Sequence, residues 1–239
     1  MGVRGKRNGG KNQDVSKLKP SCGECTVYKC RRPETKLSPP RSCPRMHYGK
    51  VVNETVEKSR KDPEILRINT ACEEVLRRGT HQWTRIRELI EYARILHYKK
   101  IGVAGCIGLI EESKLLARIL IEAGFQVVLV GCMAGGMPRE RFGLKERKGA
   151  GPFACNPIMQ AAVLNREKTD LNVMVGLCLG HDILFIKNCE ADVTPLIVKD
   201  RVTGHNPIAA LYTSRSYYKD KLWNPPSKKS PLRPNRTTR

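Results

Sequence analysis

No stretch of this 239-residue chain reaches the run of about 18 apolar residues that a membrane helix needs. The N-terminus is basic with no apolar segment behind it, so no secretory signal is visible and a cytoplasmic location is expected. A reducing compartment makes ten cysteines a sign of metal binding or thiol chemistry rather than of a disulfide framework. Acidic residues are scarce: 44 Lys and Arg face 23 Asp and Glu, for a net charge of +21. The ends carry much of this excess. Residues 1–20 hold six Lys/Arg against one Asp, and residues 214–239 hold eight against one. Both read as disordered basic tails. Such tails are also the footprint of nucleic-acid contact.

What is present divides into a small element and an α/β region. Residues 21–50 hold Cys22, Cys25, Cys30 and Cys43 around a Pro-rich loop with no apolar periodicity. A segment of this kind lacks the burial to fold on its own, and a bound metal is the natural organiser. Four thiolates suit tetrahedral zinc or one corner each of a [4Fe–4S] cube. A second Cys-x-x-Cys knuckle, which a zinc ribbon would show, is missing, and Pro44 after Cys43 hints at iron–sulfur. A redox dithiol at Cys22/Cys25 and a His47 ligand remain open alternatives.

Residues 51–213 read as one α/β domain. Helices are expected over 62–78, with Cys72 on the core stripe, and over 81–98. Strands are expected at 101–104, 125–130, 171–177 and 195–199, alternating with helices over 109–123, over 156–165, after His181, and up to Tyr212. That order predicts a Rossmann-like three-layer fold: a parallel sheet of at least four strands with flanking helices and right-handed crossovers. The stretch 133–154 is a long, glycine-rich loop, the kind that carries function.

A parallel sheet puts all strand C-termini on one edge, where open α/β sheets bind ligands. Cys106, Cys132, and Cys178 with His181 follow the first three strands. Asp200 and His205 follow the fourth, and Cys155 opens a helix leading towards the third. Adjacent strands lie roughly 5 Å apart, so these groups can converge. Several readings compete. Cys106, Cys132, Cys155 and Cys178 could bind a metal or cluster with His181 or His205 in support. Some could be catalytic thiolates passing sulfur, electrons or acyl groups, with Cys178 and Cys106 leading and His181 and Asp182 in acid–base roles. They could simply be small residues packed at strand ends. A dinucleotide site is disfavoured: Gly102, Gly105 and Gly108 miss the fingerprint spacing, and the second strand ends in Gly-Cys without an acidic residue.

The segments GVAGCIGLIEE, GFQVVLVGC, CNPIMQAAVLN, TDLNVMVGLCLGHDILF and VKDRVTGHNPIAALY, behind a Cys-x-x-Cys-x4-Cys element, resemble the family catalogued as domain of unknown function 1847. The likeness covers roughly Cys22 to Tyr212. Members are labelled uncharacterised metal-binding proteins. The resemblance implies that Cys22, Cys25, Cys30 and Cys43 are metal-type cysteines, and it places Cys106, Cys132, Cys155, Cys178, His181, Asp182, Lys199, Asp200, Arg201, His205 and Asn206 in signature segments. Relatives are expected to carry a lysine where this chain has Met133; this chain then either lacks its role or supplies it from Arg139 or Arg141. The expected protein is therefore a metal-binding one, with zinc or a [4Fe–4S] cluster on the N-terminal cysteines. Its sheet edge would work on a small-molecule substrate by redox or sulfur-transfer chemistry. The alternative is a non-enzymatic interaction protein with a structural metal and basic tails on nucleic acid.

Overall fold

The computed structural model describes residues 19–145, 149 and 151–223. The chain divides into two compact units, Met1–Thr70 and Ala71–Arg239. Residues 1–18, most of the expected N-terminal tail, lie outside the described residues, as do 224–239.

In the first unit the cysteine-bearing loop is held by turns. The Ser21 amide donates to the Ser42 carbonyl at 2.8 Å, drawing the two ends of the loop together, and the Cys25 amide donates to the Cys22 carbonyl. Helices α1 (Pro44–His47) and α2 (Gly49–Lys61) follow. The sequence reading did not anticipate α2, and its surface explains why: it buries no residue. Exposed i,i+3 and i,i+4 pairs of Glu57 with Arg60 and Lys61 support it instead. Helix α3 (Pro63–Gly79) starts where Asp62 Oδ1 accepts the amides of Glu64 and Ile65.

In the second unit only Ala71, Val75 and Gly79 of α3 are buried. The expected apolar stripe is thus narrower than its sequence suggested, and Cys72 is exposed rather than core. Helix α4 spans Arg85–Ile95, shorter than the 81–98 expected, because Thr84 caps its start by accepting the Arg87 amide.

The sheet holds β1 (Lys100–Gly105), β2 (Gln126–Gly131), β3 (Leu171–Val175) and β4 (Asp192–Ile197) in the order β2-β1-β3-β4, all parallel. Helices α5 (Ile110–Glu122), α6 (Pro157–Arg166) and α7 (Leu179–Asn188) alternate with the strands, and α8 (Ile208–Tyr212) and α9 (Lys219–Trp223) follow β4. The α/β reading with a parallel sheet and flanking helices therefore holds. Alternation along β1 and β3 sends side chains to two cores. Ile101, Val103, Leu171, Val173 and Val175 pack with α4 and α5, through Leu89, Ile90, Leu116 and Leu120. Ala104 and Met174 pack with α6 and α7, through Ala161, Leu164 and Phe185. Each large aliphatic side chain buried this way contributes about 1.5–3 kcal/mol.

Two details differ from the expected pattern. Strand β4 begins at Asp192, three residues before Pro195. An outermost strand can accommodate a proline, and a register shift opposite Met174/Val175 absorbs the irregularity. Helix α7 begins at Leu179, so His181 lies inside its first turn rather than ahead of it. Residues 214–223, read from sequence as tail, carry turns and α9, whose Trp223 Nε1 donates to the Ser214 carbonyl at 3.1 Å.

Gly176 ends β3 with φ +60°, and a Cβ there would stand 2.1 Å from Leu109 Cδ1. Gly143 has φ +65° with nothing within 4 Å of that position. Gly176→Ala should therefore cost about 3 kcal/mol in urea unfolding, from backbone strain plus overpacking, and Gly143→Ala about 1. Equal losses would remove the Leu109 contact from the account.

Candidate functional site

The pairing register sets the sheet edge. Gly105 sits opposite both Gly131 and Val175, so Cys106 and Cys132 each lie one residue beyond a matched pair. The Cys132 amide donates to the Gly105 carbonyl at 2.8 Å, and the Cys106 amide donates to the Val175 carbonyl at 3.0 Å. Gln160 of α6, fully buried, spans the same point: its Nε2 donates to the Gly105 carbonyl at 3.1 Å and the Val130 carbonyl at 2.8 Å. The loop after β2 returns so that the Asn156 amide reaches the Cys132 carbonyl at 2.7 Å, which brings Cys155 alongside. Asn156 Oδ1 then caps α6 by accepting the Met159 amide.

The sulfurs form a directed chain. Lys199 Nζ donates to Cys106 Sγ. Cys106 interacts electrostatically with Cys132, and Cys132 Sγ donates to Cys155 Sγ at 3.5 Å. Main-chain amides support it, with Ile107 N 3.2 Å from Cys132 Sγ and Gly108 N 3.4 Å from Cys106 Sγ. Protons are accordingly unequally held. The bond to Cys132, together with burial, pushes Cys106 up to about 12 against the pull of Lys199. For Cys132 the bond with Cys106 lowers the value, but the bond to Cys155 and burial outweigh it, and the net shift is upward. Accepting from Cys132 brings Cys155 down to about 7. The negative charge therefore resides first on Cys155.

Cys178 caps α7 with no side-chain bond to the helix, and Arg201 Nη2 lies 3.4 Å from its sulfur. His181 and Asp182 occupy the first turn of α7. Burial lowers the His181 pKa and raises that of Asp182, and both lie within electrostatic reach of Lys199. His205 is placed otherwise: its Nδ1 accepts the Asp200 amide at 3.1 Å, inside a turn that Asp200 Oδ1 closes on Val202 and Thr203. Burial pushes Cys189 up to about 11.

Sequence reasoning thus gathered Cys106, Cys132, Cys155, Cys178, His181 and Asp182 at one edge. It missed the roles of Lys199, Arg201 and Gln160. The signal for the cations was their position just beyond β4, at the same edge as the cysteines. Arg139, a candidate to replace the lysine expected at Met133, turns its Nε to the Lys145 carbonyl, while Met133 packs against the α6/α7 core.

In the first unit Cys22, Cys25, Cys30 and Cys43 line a single cavity of about 110 Å³, together with Tyr28 and Pro39. His47 is engaged elsewhere, its Nε2 3.0 Å from the Arg41 carbonyl. Among the described residues no three His, Cys, Asp or Glu side chains are gathered tightly enough to hold a bare ion as they stand. The donor set, all thiol and converging on one space, matches what zinc and iron–sulfur clusters accept. Among the described residues no helix is long and apolar enough to cross a membrane.

The fold and edge define a parallel α/β protein with a cysteine-rich sheet edge. The chain belongs to the family described as Protein of unknown function (DUF1847), whose profile matches residues 43–196. An uncharacterized protein of Methanocaldococcus jannaschii is 50% identical over 140 residues, covering 58% of this chain and 71% of that protein. No solved structure matches the chain.

Because thiolate is the reactive form, alkylation of Cys155 by iodoacetamide should rise with pH to half its maximum near about 7, while Cys189 reacts only at strongly alkaline pH. Lys199→Met should move the Cys155 midpoint upward, since it removes a cation favouring the thiolate. A midpoint near the ordinary thiol value, read by peptide mass spectrometry, would contradict the directed chain.

Proposed function

We propose that this chain is a metal-binding thiol protein whose sheet edge performs redox or sulfur-transfer chemistry. The observation that carries the edge reading is the contact series Lys199–Cys106–Cys132–Cys155, in which thiols from three separate chain segments meet under an ammonium group. Packing alone gives no reason for a lysine to be directed at one of the edge sulfurs. Cys155 is the attacking thiolate, in place of the Cys178 and Cys106 favoured from sequence, because Cys106 holds its proton too firmly. Cys132 is the neighbouring thiol that answers it. His181, kept neutral by burial, is the proton acceptor, and Asp182 and Cys178 complete the rim.

Cys22, Cys25, Cys30 and Cys43 would hold zinc or a [4Fe–4S] cluster, supported by their common cavity. Zinc would organise the loop; a cluster would in addition supply one-electron chemistry. The α2 helix behind this element, with its exposed basic residues, and the net charge of +21 favour a second reading, a non-enzymatic interaction protein that touches nucleic acid.

Anaerobically purified full-length protein should contain zinc, or iron with acid-labile sulfide, and Cys22→Ser/Cys25→Ser should remove it. Metal-free protein from the wild type would overturn the metal assignment. Retention by the double variant would move the metal away from the N-terminal element.

A further inference from the structure

Cys132 Sγ stands 3.5 Å from that of Cys155. A disulfide needs about 2.05 Å between sulfurs, a small side-chain rotation from this contact. Cys132 can therefore bridge to Cys155. The edge also carries positive charge directed at sulfur: Lys199 on Cys106, and Arg201 3.4 Å from Cys178. Helices α6 and α7, ten residues each, begin beside Cys155 and at Cys178 and add partial positive charge. Cys155 is half-buried, within reach of a small molecule, while Cys106 and Cys132 are buried behind it.

We infer that the edge exchanges electrons with a small anionic disulfide, with Cys155 attacking and Cys132 resolving. This deepens the thiol reading above and rests on it. The Cys155 thiolate attacks one sulfur of R–S–S–R; that S–S bond breaks and the first R–S⁻ leaves. Cys132 then attacks Cys155 Sγ, the Cys155–S–R bond breaks, and the second thiolate leaves, one of the two taking the Cys132 proton. The protein's thiolate–thiol pair loses two electrons, and the disulfide becomes one thiol and one thiolate. Lys199 and Arg201 select substrates whose R groups carry carboxylates.

The test uses reduced, full-length protein exposed separately to oxidised glutathione, which is anionic, and cystamine, which is cationic. Samples are quenched with N-ethylmaleimide and mapped by peptide mass spectrometry. The expected product is a Cys132–Cys155 bridge, formed faster with glutathione disulfide. Cys132→Ser should accumulate glutathione on Cys155. If that variant does not fold, Cys155→Ser serves in its place and should lower the rate of disulfide consumption at least tenfold. Lys199→Met/Arg201→Met should lower the glutathione-to-cystamine rate ratio about tenfold, the scale of losing a partly screened charge contact. A ratio near one in the wild type overturns the anionic preference. No edge bridge with either disulfide overturns the exchange; if the same cysteines then take up sulfur from thiosulfate, the broader thiol reading survives, and if they stay unmodified it falls too.

Discussion

Every group at this edge depends on the parallel pairing of β1 with both β2 and β3. Parallel strands run the same way, so their C-terminal ends share a border. The register places Gly105, Gly131 and Val175 on one line. A cysteine one step past Gly105 and another one step past Gly131 then have little freedom to be apart. Shifting either pairing by a residue would turn one of them to the opposite face. Gln160 reinforces the line by bonding carbonyls at the ends of two strands at once from the α6 layer. A buried amide bridging two strands is costly to replace, because removing it loses two buried hydrogen bonds at once.

The same geometry controls the acidity of the thiols. Alone, each buried thiol would resist ionising. In series they differ, because each sulfur donates to the next, and the terminal acceptor alone collects stabilisation without giving a proton away. That is why Cys155 falls to about 7 while Cys106, nearest the ammonium, rises to about 12. The lysine anchors the donor end, and the charge settles at the far end, nearest solvent. Direction along the chain of contacts, more than proximity to the cation, decides which sulfur is reactive.

Much of this was legible in the residues. Val- and Leu-rich runs marked β1, β2 and β3, and Asn156-Pro157 marked the start of α6. The cysteines after successive strands mark the edge in the sequence itself. What escaped has physical causes. Helix α2 has only Val51, Val52 and Val56 as apolar residues and buries none of them; ion pairing along its surface supports it. Cys72 was assigned to the core because a helical stripe looks the same in sequence whether two or four positions per turn are covered. The start of β4 was hidden by Pro195, which reads as a boundary in an interior strand but not on an edge. Gln160 gave no local sign, because it acts on strands 30 and 55 residues away in sequence.

Pro195 has one more consequence. As the outermost strand on its side, β4 offers main-chain groups to any passing chain that could extend the sheet. Proline lacks the N–H that such a newcomer would need, and the register shift beside it bends the row of remaining donors out of line. The exposed border is thereby made a poor template for edge-to-edge aggregation. A protein rich in free thiols, for which a chance strand contact could be locked covalently, gains protection on that flank from a single ring.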